Sequence, residues 1–296
     1  ESVKGTDAQD SDATGGKAIH PLYSRNSGSN SNWFFNTARL WLGTTSSSFH
    51  TAANWGPAIV PDAAASVVVE TNNPMAITSA VSVLKLTVGG GNGAAQVQVN
   101  APLAIVGDLT TRTNGTVVMN RPVAVNNDAL VTGGGLLTHS ANGASEQYRI
   151  VLTVASNLTV DLGAKIDVSQ RGYGGGYGPG KANYPRWGAS HGGQGWKAAG
   201  EIGSPTYGSI ASPTNLGSGG HNDANTEGGG AVILSVGGVT LLEGQMRANG
   251  GPRDGIITGA GGSLWLTTGR LTGFGSMVAN GGLATGDWGG GGGRIA

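Results

Sequence analysis

The residues that could carry out acid-base chemistry are few, and the best candidates lie between residues 170 and 227. Enzymes that cleave polysaccharides need two carboxylates a few ångströms apart, or carboxylates around a metal together with a base. The chain has five histidines and 17 acidic residues. The candidates in this stretch are His191, His221, Glu201, Asp223 and Glu227. Their spacing matches no catalytic pattern, so we interpret them as exposed polar groups of a loop. We predict a non-enzymatic protein, with a polysaccharide lyase or hydrolase as the main alternative.

One short stretch has the oxygen ligands that calcium prefers. In "HNDANTE", the candidate ligands are Asn222, Asp223, Asn225 and Glu227. Their spacing matches no standard calcium loop, and a polar turn leading into Gly228 explains the same residues. No other cofactor is predicted.

Aromatic residues are concentrated in the same region. Six of the chain's 13 Tyr and Trp residues lie there: Tyr173, Tyr177, Tyr184, Trp187, Trp196 and Tyr207. Three interpretations remain open. The rings could form a glycan-binding platform, they could form a self-association surface that plates glycine-rich segments, or they could be buried in a folded lid.

A regular repeat organises the C-terminal part of the sequence. Ala248-Asn249-Gly250-Gly251 returns as Ala279-Asn280-Gly281-Gly282, and a third unit begins at "GGGGGRIA". Residues 151–172 match the strand part of the same unit. Repeats of this length are typical of stacked units that bury their apolar faces against one another.

The alignment of these units predicts columns of equivalent residues. The predicted core columns are Ile166 with Met246 and Met277, and Val154 with Val236 and Leu266. Ser169, Asn249 and Asn280 form a predicted polar corner ladder. Asp167 aligns with Arg247 and Val278, which predicts a salt bridge and no pair of carboxylates.

The strand pattern predicts an all-β protein. Short apolar-alternating runs bounded by Gly, Asn or Pro follow one another from residue 66 to residue 139. Hairpin turn signals are scarce, so we expect a right-handed parallel β-helix with a long glycine-rich loop excursion. A β-sandwich is the rival fold, but it gives no reason for the regular repeat.

The predicted organisation has five parts. They are a polar tail at 1–31, an aromatic cap at 32–65 that contains Trp41, Phe49 and Trp55, β-helix coils at 66–169, the glycine-rich and aromatic excursion at 170–227, and β-helix coils of about 31 residues with glycine-rich loops at 228–296.

Two stretches resemble known secreted proteins. Residues 40–70, "LWLGTTSSSFHTAANWGPAIVPDAAASVVVE", resemble a segment of large secreted bacterial β-helix proteins, including autotransporter-like adhesins. Residues 160–296 resemble the glycine-rich segments of giant secreted bacterial proteins and, more distantly, polyglycine modules of phage tail adhesins. These resemblances imply an extracellular, cell-surface location and a structural or adhesive role.

Charge and hydropathy restrict the partners. The net charge is zero with no Lys/Arg cluster, which argues against nucleic acid and anionic membranes. No apolar run approaches the length of a membrane-spanning helix, so no membrane insertion is expected. A sequence that begins at Glu1 without Met suggests processing. We expect self-association into a head-to-tail filament, in which residues 1–31 cover the last coil of a neighbour, unless later coils cover it; surface glycans are the other expected partners.

Overall fold

The chain folds almost entirely into β structure. The computed structural model describes residues 7–12, 25–30, 38–184, 187–221, 226–251, 258–283 and 289–296. Among these residues there is no α-helix, and a single 3-10 turn spans Ala52–Asn54. This confirms the predicted all-β class.

Four strands precede the regular part of the fold. They are β1 (Asp7–Gln9), β2 (Arg25–Gly28), β3 (Ala38–Trp41) and β4 (Trp55–Gly56). β1 and β2 pair in parallel as a separate two-stranded sheet. They lie in the predicted tail, where the polar sequence gave no strand signal, because isolated backbone pairing needs no apolar alternation.

Short strands then follow where alternating apolar residues are bounded by turn residues. They are β5 (Ser66–Val69), β6 (Met75–Ile77), β7 (Val81–Val83), β8 (Lys85–Val88), β9 (Ala95–Val99), β10 (Leu103–Ile105), β11 (Leu109–Thr111), β12 (Gly115–Met119), β13 (Val123–Val125), β14 (Ala129–Val131), β15 (Leu136–Thr138), β16 (Ile150–Val154), β17 (Leu158–Val160) and β18 (Lys165–Asp167).

Five strands follow the glycine-rich stretch. They are β19 (Ala231–Leu242), β20 (Gln245–Arg247), β21 (Ser263–Thr272), β22 (Ser276–Val278) and β23 (Arg294–Ile295). Among the residues described between β18 and β19, none forms a strand.

Successive strands join three parallel rows in rotation. From β5 to β16, each strand pairs with the strand three places later, so that β7, β10, β13 and β16 form one row and β5, β8, β11, β14 and β17 the next. The third row runs from β6 through β9, β12, β15, β18 and β20 to β22. The longer strands β19 and β21 continue the first two rows together. Partners are therefore distant in sequence and adjacent in space.

The interior is built from ladders of apolar side chains, one from each strand of a row. In the third row, Val97, Val117, Leu137, Ile166 and Met246 stack in register and are fully buried. Met277 continues the ladder and is half-buried. The predicted core column is confirmed. Each fully buried side chain of this kind contributes about 1.5–3 kcal/mol through the removal of apolar surface from water.

One predicted column is partly wrong. Val154 does pair with Val236, but Val236 pairs with Thr268, and Leu266 pairs with Leu234 instead. The register between β19 and β21 shifts between Val236 and Val239. A β-bulge of this kind places an extra residue in one strand, so a constant repeat offset cannot hold along the whole unit.

An aromatic cluster closes the N-terminal end of the rows. Trp41, Phe49 and Trp55 are buried, and the Trp55 ring lies edge-on to the other two at centroid distances of 5.0 and 5.1 Å. The Trp55 indole N–H donates to the Phe49 carbonyl at 2.8 Å. The cluster therefore combines apolar burial with a satisfied polar group.

We predict that Trp55→Ala lowers the free energy of unfolding by about 3–5 kcal/mol, because it removes a fully buried ring and leaves a cavity. Urea unfolding followed by fluorescence measures the change. Leu162→Ala is the control, since that side chain is 83% exposed. Equal effects of the two substitutions would contradict the role of the aromatic cluster.

Candidate functional site

The feature that distinguishes this molecule is a set of glycine-rich segments packed against one another. We call it the glycine bundle, and its segments are residues 172–174, 187–190, 217–220, 228–230, 248–251, 258–262, 279–282 and 289–293. None of these segments forms a strand. Three of them end immediately before β19, β21 and β23, at equivalent places in the repeat.

The segments of the glycine bundle are joined by backbone hydrogen bonds that run in several directions. Gly217 N–H donates to Gly229 O at 2.8 Å, Gly229 N–H to Ala260 O at 2.8 Å, and Ala260 N–H to Ser218 O at 2.9 Å. Three segments that bond one another in a closed triangle cannot lie in one flat sheet. The pattern fits extended helices of the polyproline II type, which have no internal hydrogen bonds and point their N–H groups outward.

A second triangle joins other segments of the glycine bundle. Gly261 N–H donates to Gly291 O at 3.0 Å, Gly291 N–H to Ala189 O at 2.8 Å, and Ala189 N–H to Thr258 O at 3.1 Å. The excursion is thus connected to both repeats that follow it. Its backbone polar groups find partners without forming strands, which a buried segment requires.

Glycine is required in the bundle for close approach. A Cβ atom on Gly228 would lie 1.9 Å from Gly217 O, and one on Gly219 would lie 2.0 Å from Gly174 O. Neither glycine has a positive φ. The missing side chain, and not left-handed backbone geometry, is therefore what these positions need.

A buried histidine contacts the end of glycine segment 228–230, where that segment leads into β19. Ala231 N–H donates to His139 Nε2 at 3.3 Å, and His139 Nδ1 lies 2.8 Å from the Ser140 carbonyl. Nδ1 must carry the proton, since Nε2 accepts. Gly230 makes room for the ring, because a Cβ there would lie 2.3 Å from Nε2. Burial lowers the pKa of His139 to about 4.

A second histidine lies inside the glycine bundle. His191 is completely buried, its Nδ1 is 2.7 Å from Gly261 O, and its ring is 4.7 Å from the Tyr207 ring. Burial lowers its pKa. The prediction of an exposed loop histidine was wrong for His191, because surrounding glycine backbone encloses the ring; His221 is half-buried.

The six aromatic residues divide into buried and exposed groups. Trp187 is buried, Tyr173, Trp196 and Tyr207 are half-buried, and Tyr177 and Tyr184 are 49% and 58% exposed. The Tyr184 and Trp187 rings are 4.7 Å apart. Among the described residues, no ring contact connects this pair with Tyr207. The six rings therefore lie in different surroundings, with four buried or half-buried and two exposed.

Hydroxyl groups of two tyrosines are tied into the interior. Tyr207 Oη donates to Leu216 O and lies 2.8 Å from Ser218 Oγ, and burial raises its pKa. Tyr173 Oη donates to Glu146 Oε2 at 3.4 Å. Burial also raises the pKa of Tyr173. The hydroxyl groups of both tyrosines therefore hydrogen-bond to protein groups, and both rings pack against the chain.

The predicted corner ladder is present. Asn249 N–H donates to Ser169 Oγ at 3.2 Å, and Asn280 N–H donates to Asn249 Oδ1 at 2.9 Å. The ladder lines an open groove of about 380 Å³ together with Asp167, Arg247 and further residues. Asp167 and Arg247 are neighbours in register, but the ion pairs that the described residues show are Lys85–Asp108 and Arg149–Glu146.

The calcium prediction falls mostly on residues outside the described part of the chain, namely Asn222, Asp223 and Asn225. Glu227 is half-buried, and its carbonyl accepts a hydrogen bond from Gly251 N–H at 2.7 Å. In the described ranges, no group of three or more His, Cys, Asp or Glu residues is placed to hold a metal ion.

No known protein family, curated protein or solved structure matches the chain. No helix in the described part of the chain has the length and apolarity to span a bilayer.

We predict that Gly228→Ala lowers the free energy of unfolding by at least about 2 kcal/mol, because the added methyl group overlaps Gly217 O and neighbouring backbone must move. Chemical unfolding measures it. Gly143→Ala is the matched control, since a Cβ at Gly143 meets nothing within 4 Å and its φ is not positive. The steric account fails if the two variants are equally stable.

We predict an acid-sensitive contribution from His139. With a folded pKa of about 4 and an unfolded pKa of about 6.5, the unfolded chain binds the extra proton between these values, so stability falls as pH falls through this window. From pH 6.5 to pH 5 the loss due to this residue is about 1.5 kcal/mol. Urea unfolding across this range should show a steeper loss for the native chain than for His139→Asn. Parallel pH profiles would contradict this.

Proposed function

We propose that this chain is a non-enzymatic structural module of an extracellular bacterial surface fibre, stalk or adhesin. In this proposal the three rows wind as a right-handed parallel β-helix, and the glycine bundle stiffens it from one side. The module assembles with copies of itself and uses its surface for binding instead of chemistry.

The rotation of strands among three rows supports the β-helix. In the first row, Leu103 pairs with Val123 and Val123 pairs in turn with Leu152, while in the third row Gln245 pairs with Ser276. The chain therefore passes through all three rows and returns to the row it left. Each such return completes one turn of a helix. Parallel crossover connections are overwhelmingly right-handed, which favours that hand.

The observation that carries the mechanical role is the repeated attachment of the glycine bundle to the third row. Gly230 N–H donates to Val168 O at 2.8 Å, Gly262 N–H to Ala248 O at 2.7 Å, and Gly293 N–H to Ala279 O at 2.7 Å. The acceptor in each case is the residue that directly follows a strand of the third row, and Ala248 and Ala279 are also the points at which the chain passes from that row into the bundle. A load on the strands would therefore reach the bundle in every repeat.

The extracellular location rests on the resemblance of residues 40–70 to secreted bacterial β-helix proteins. The backbone hydrogen bonds of the glycine bundle add support. A fold held by many such bonds resists local opening, which is the first step of proteolysis.

A glycan-binding role is the second candidate, supported by the exposed Tyr184 ring beside Trp187. Tyrosine and tryptophan rings offer apolar faces together with a polar group, as sugars require. Binding of a polysaccharide that is lost in Tyr184→Ala and kept in Tyr177→Ala would favour this role.

Single-molecule pulling tests the mechanical proposal. We expect Gly228→Ala to lower the force at which the β rows unfold, and Gly143→Ala to leave it unchanged, because only the first substitution disturbs the bundle. Equal forces for the native chain and Gly228→Ala would contradict the proposal. Polysaccharide turnover that is abolished by Asp167→Ala or Glu227→Ala would instead indicate an enzyme.

A further inference from the structure

The sequence contains pairs of asparagine followed by glycine, which are the pairs most prone to deamidation. Four of them are Asn92–Gly93, Asn114–Gly115, Asn142–Gly143 and Asn249–Gly250. A fifth, Asn280–Gly281, ends the corner ladder and has no following ladder residue beside it, so it is not equivalent to the four. In deamidation, the glycine amide nitrogen attacks the carboxamide carbon of the asparagine. The nitrogen must therefore be free of hydrogen bonds, and the side chain must be free to turn towards it.

The pair Asn92–Gly93 meets both conditions. It lies in the turn that joins β8 to β9, between the second and third rows. Asn92 is exposed, and among the described residues neither its carboxamide nor the Gly93 N–H has a hydrogen-bond partner. Both reacting groups are therefore accessible to each other and to water.

The turn is held on both sides of this pair. On one side, Asn114 Nδ2 donates to Gly91 O at 3.2 Å. On the other side, Ala94 N–H donates to Asn72 Oδ1 at 2.6 Å. These bonds fix the ends of the turn and leave the peptide bond within Asn92–Gly93 as its free part.

Two of the other pairs have an occupied glycine nitrogen. Gly115 N–H donates to Arg112 O at 2.8 Å, and Gly250 N–H donates to Asn280 O at 2.9 Å. The carboxamide oxygen of Asn249 also accepts from Asn280 N–H at 2.9 Å. A nitrogen whose proton is donated in this way can attack only after the local structure opens.

In the remaining pair the asparagine side chain is fixed. Asn142 is 7% exposed, and its Oδ1 accepts from the N–H groups of Gln147 and Tyr148 at 2.7 and 2.8 Å. Its Nδ2 donates to Tyr148 O at 2.9 Å and to Arg171 O at 2.8 Å. Both ends of the carboxamide are used, so the group cannot turn towards Gly143 without breaking these bonds.

We propose that Asn92 is a site of spontaneous deamidation in the folded protein. The Gly93 nitrogen forms a bond to Cγ of Asn92, the Cγ–Nδ2 bond breaks, and Nδ2 leaves as ammonia. Water then opens the cyclic imide at either carbonyl and leaves aspartate or isoaspartate. Each event adds a negative charge to a chain whose net charge is zero, and isoaspartate lengthens the backbone of the turn. The modification goes beyond the proposed structural role and needs neither an enzyme nor a partner.

Peptide mass spectrometry of the full chain, sampled during incubation in mildly alkaline buffer, tests the proposal. We expect Asn92 to deamidate at least about tenfold faster than Asn114, Asn142 and Asn249, because those three must wait for local opening. A protease that cleaves before aspartate and not before isoaspartate separates the two products.

The same incubation in denaturant is the control for local sequence, since no native hydrogen bond then distinguishes the four pairs, and we expect their rates to converge. Asn92→Gln should remove the signal from its own peptide and leave the other three rates unchanged. Equal rates at the four pairs in the native fold, or a faster reaction at any of the other three, would overturn the inference. So would the same ratio of rates in the native and denatured chains, because local sequence would then be the cause.

Discussion

The close approach of glycine backbones is the constraint on which the rest of this structure depends. Where a Cβ would lie 2.1 Å from a neighbouring carbonyl, as at Gly259 and Gly250, no other residue leaves the two segments at bonding distance. The β rows tolerate many apolar side chains of similar volume, whereas the positions of closest approach in the glycine bundle, such as Gly228, Gly250 and Gly259, have room for glycine alone. The two halves of the molecule are therefore held together by different physical means.

The energetics explain why the bundle is attached to the strands at each repeat. Ordering one backbone residue costs about 1–2 kcal/mol, and glycine loses the most conformational freedom. A backbone hydrogen bond returns about 0.5–1.5 kcal/mol net. Hydrogen bonds within the bundle therefore offset only part of the cost of ordering it, and the anchoring bonds from Gly230, Gly262 and Gly293 provide the connection to a stable interior. His139 and His191 add packing where glycine leaves space.

The β rows could be predicted from the sequence because the alternation of apolar and polar side chains shows which face of each strand is buried. Alternation gave the strands, and the repeat offset placed Ile166, Met246 and Met277 in one ladder. The offset of 31 residues does not hold before Val236, where partners lie 32 residues apart, because the bulge at Gly237 and Gly238 leaves no pattern in the sequence beyond two glycines.

For the glycine bundle, the sequence predicts an extended, glycine-rich backbone but not which segments contact one another. Glycine has no side chain to show which face is buried, so the neighbours of Gly217 or Gly228 could not be read from the sequence. His191 was misplaced for the same reason, because its burial comes from backbone. The one available signal was the recurrence of glycine immediately before β19, β21 and β23.

Amide hydrogen exchange tests the central claim most directly. If the glycine segments are held by mutual backbone hydrogen bonds, the amides of Gly217, Gly229, Ala260 and Gly261 should exchange as slowly as those of the β rows, because both open only with the body of the fold. Exchange of these amides at the rate of an open loop, while the β rows remain protected, would contradict the account.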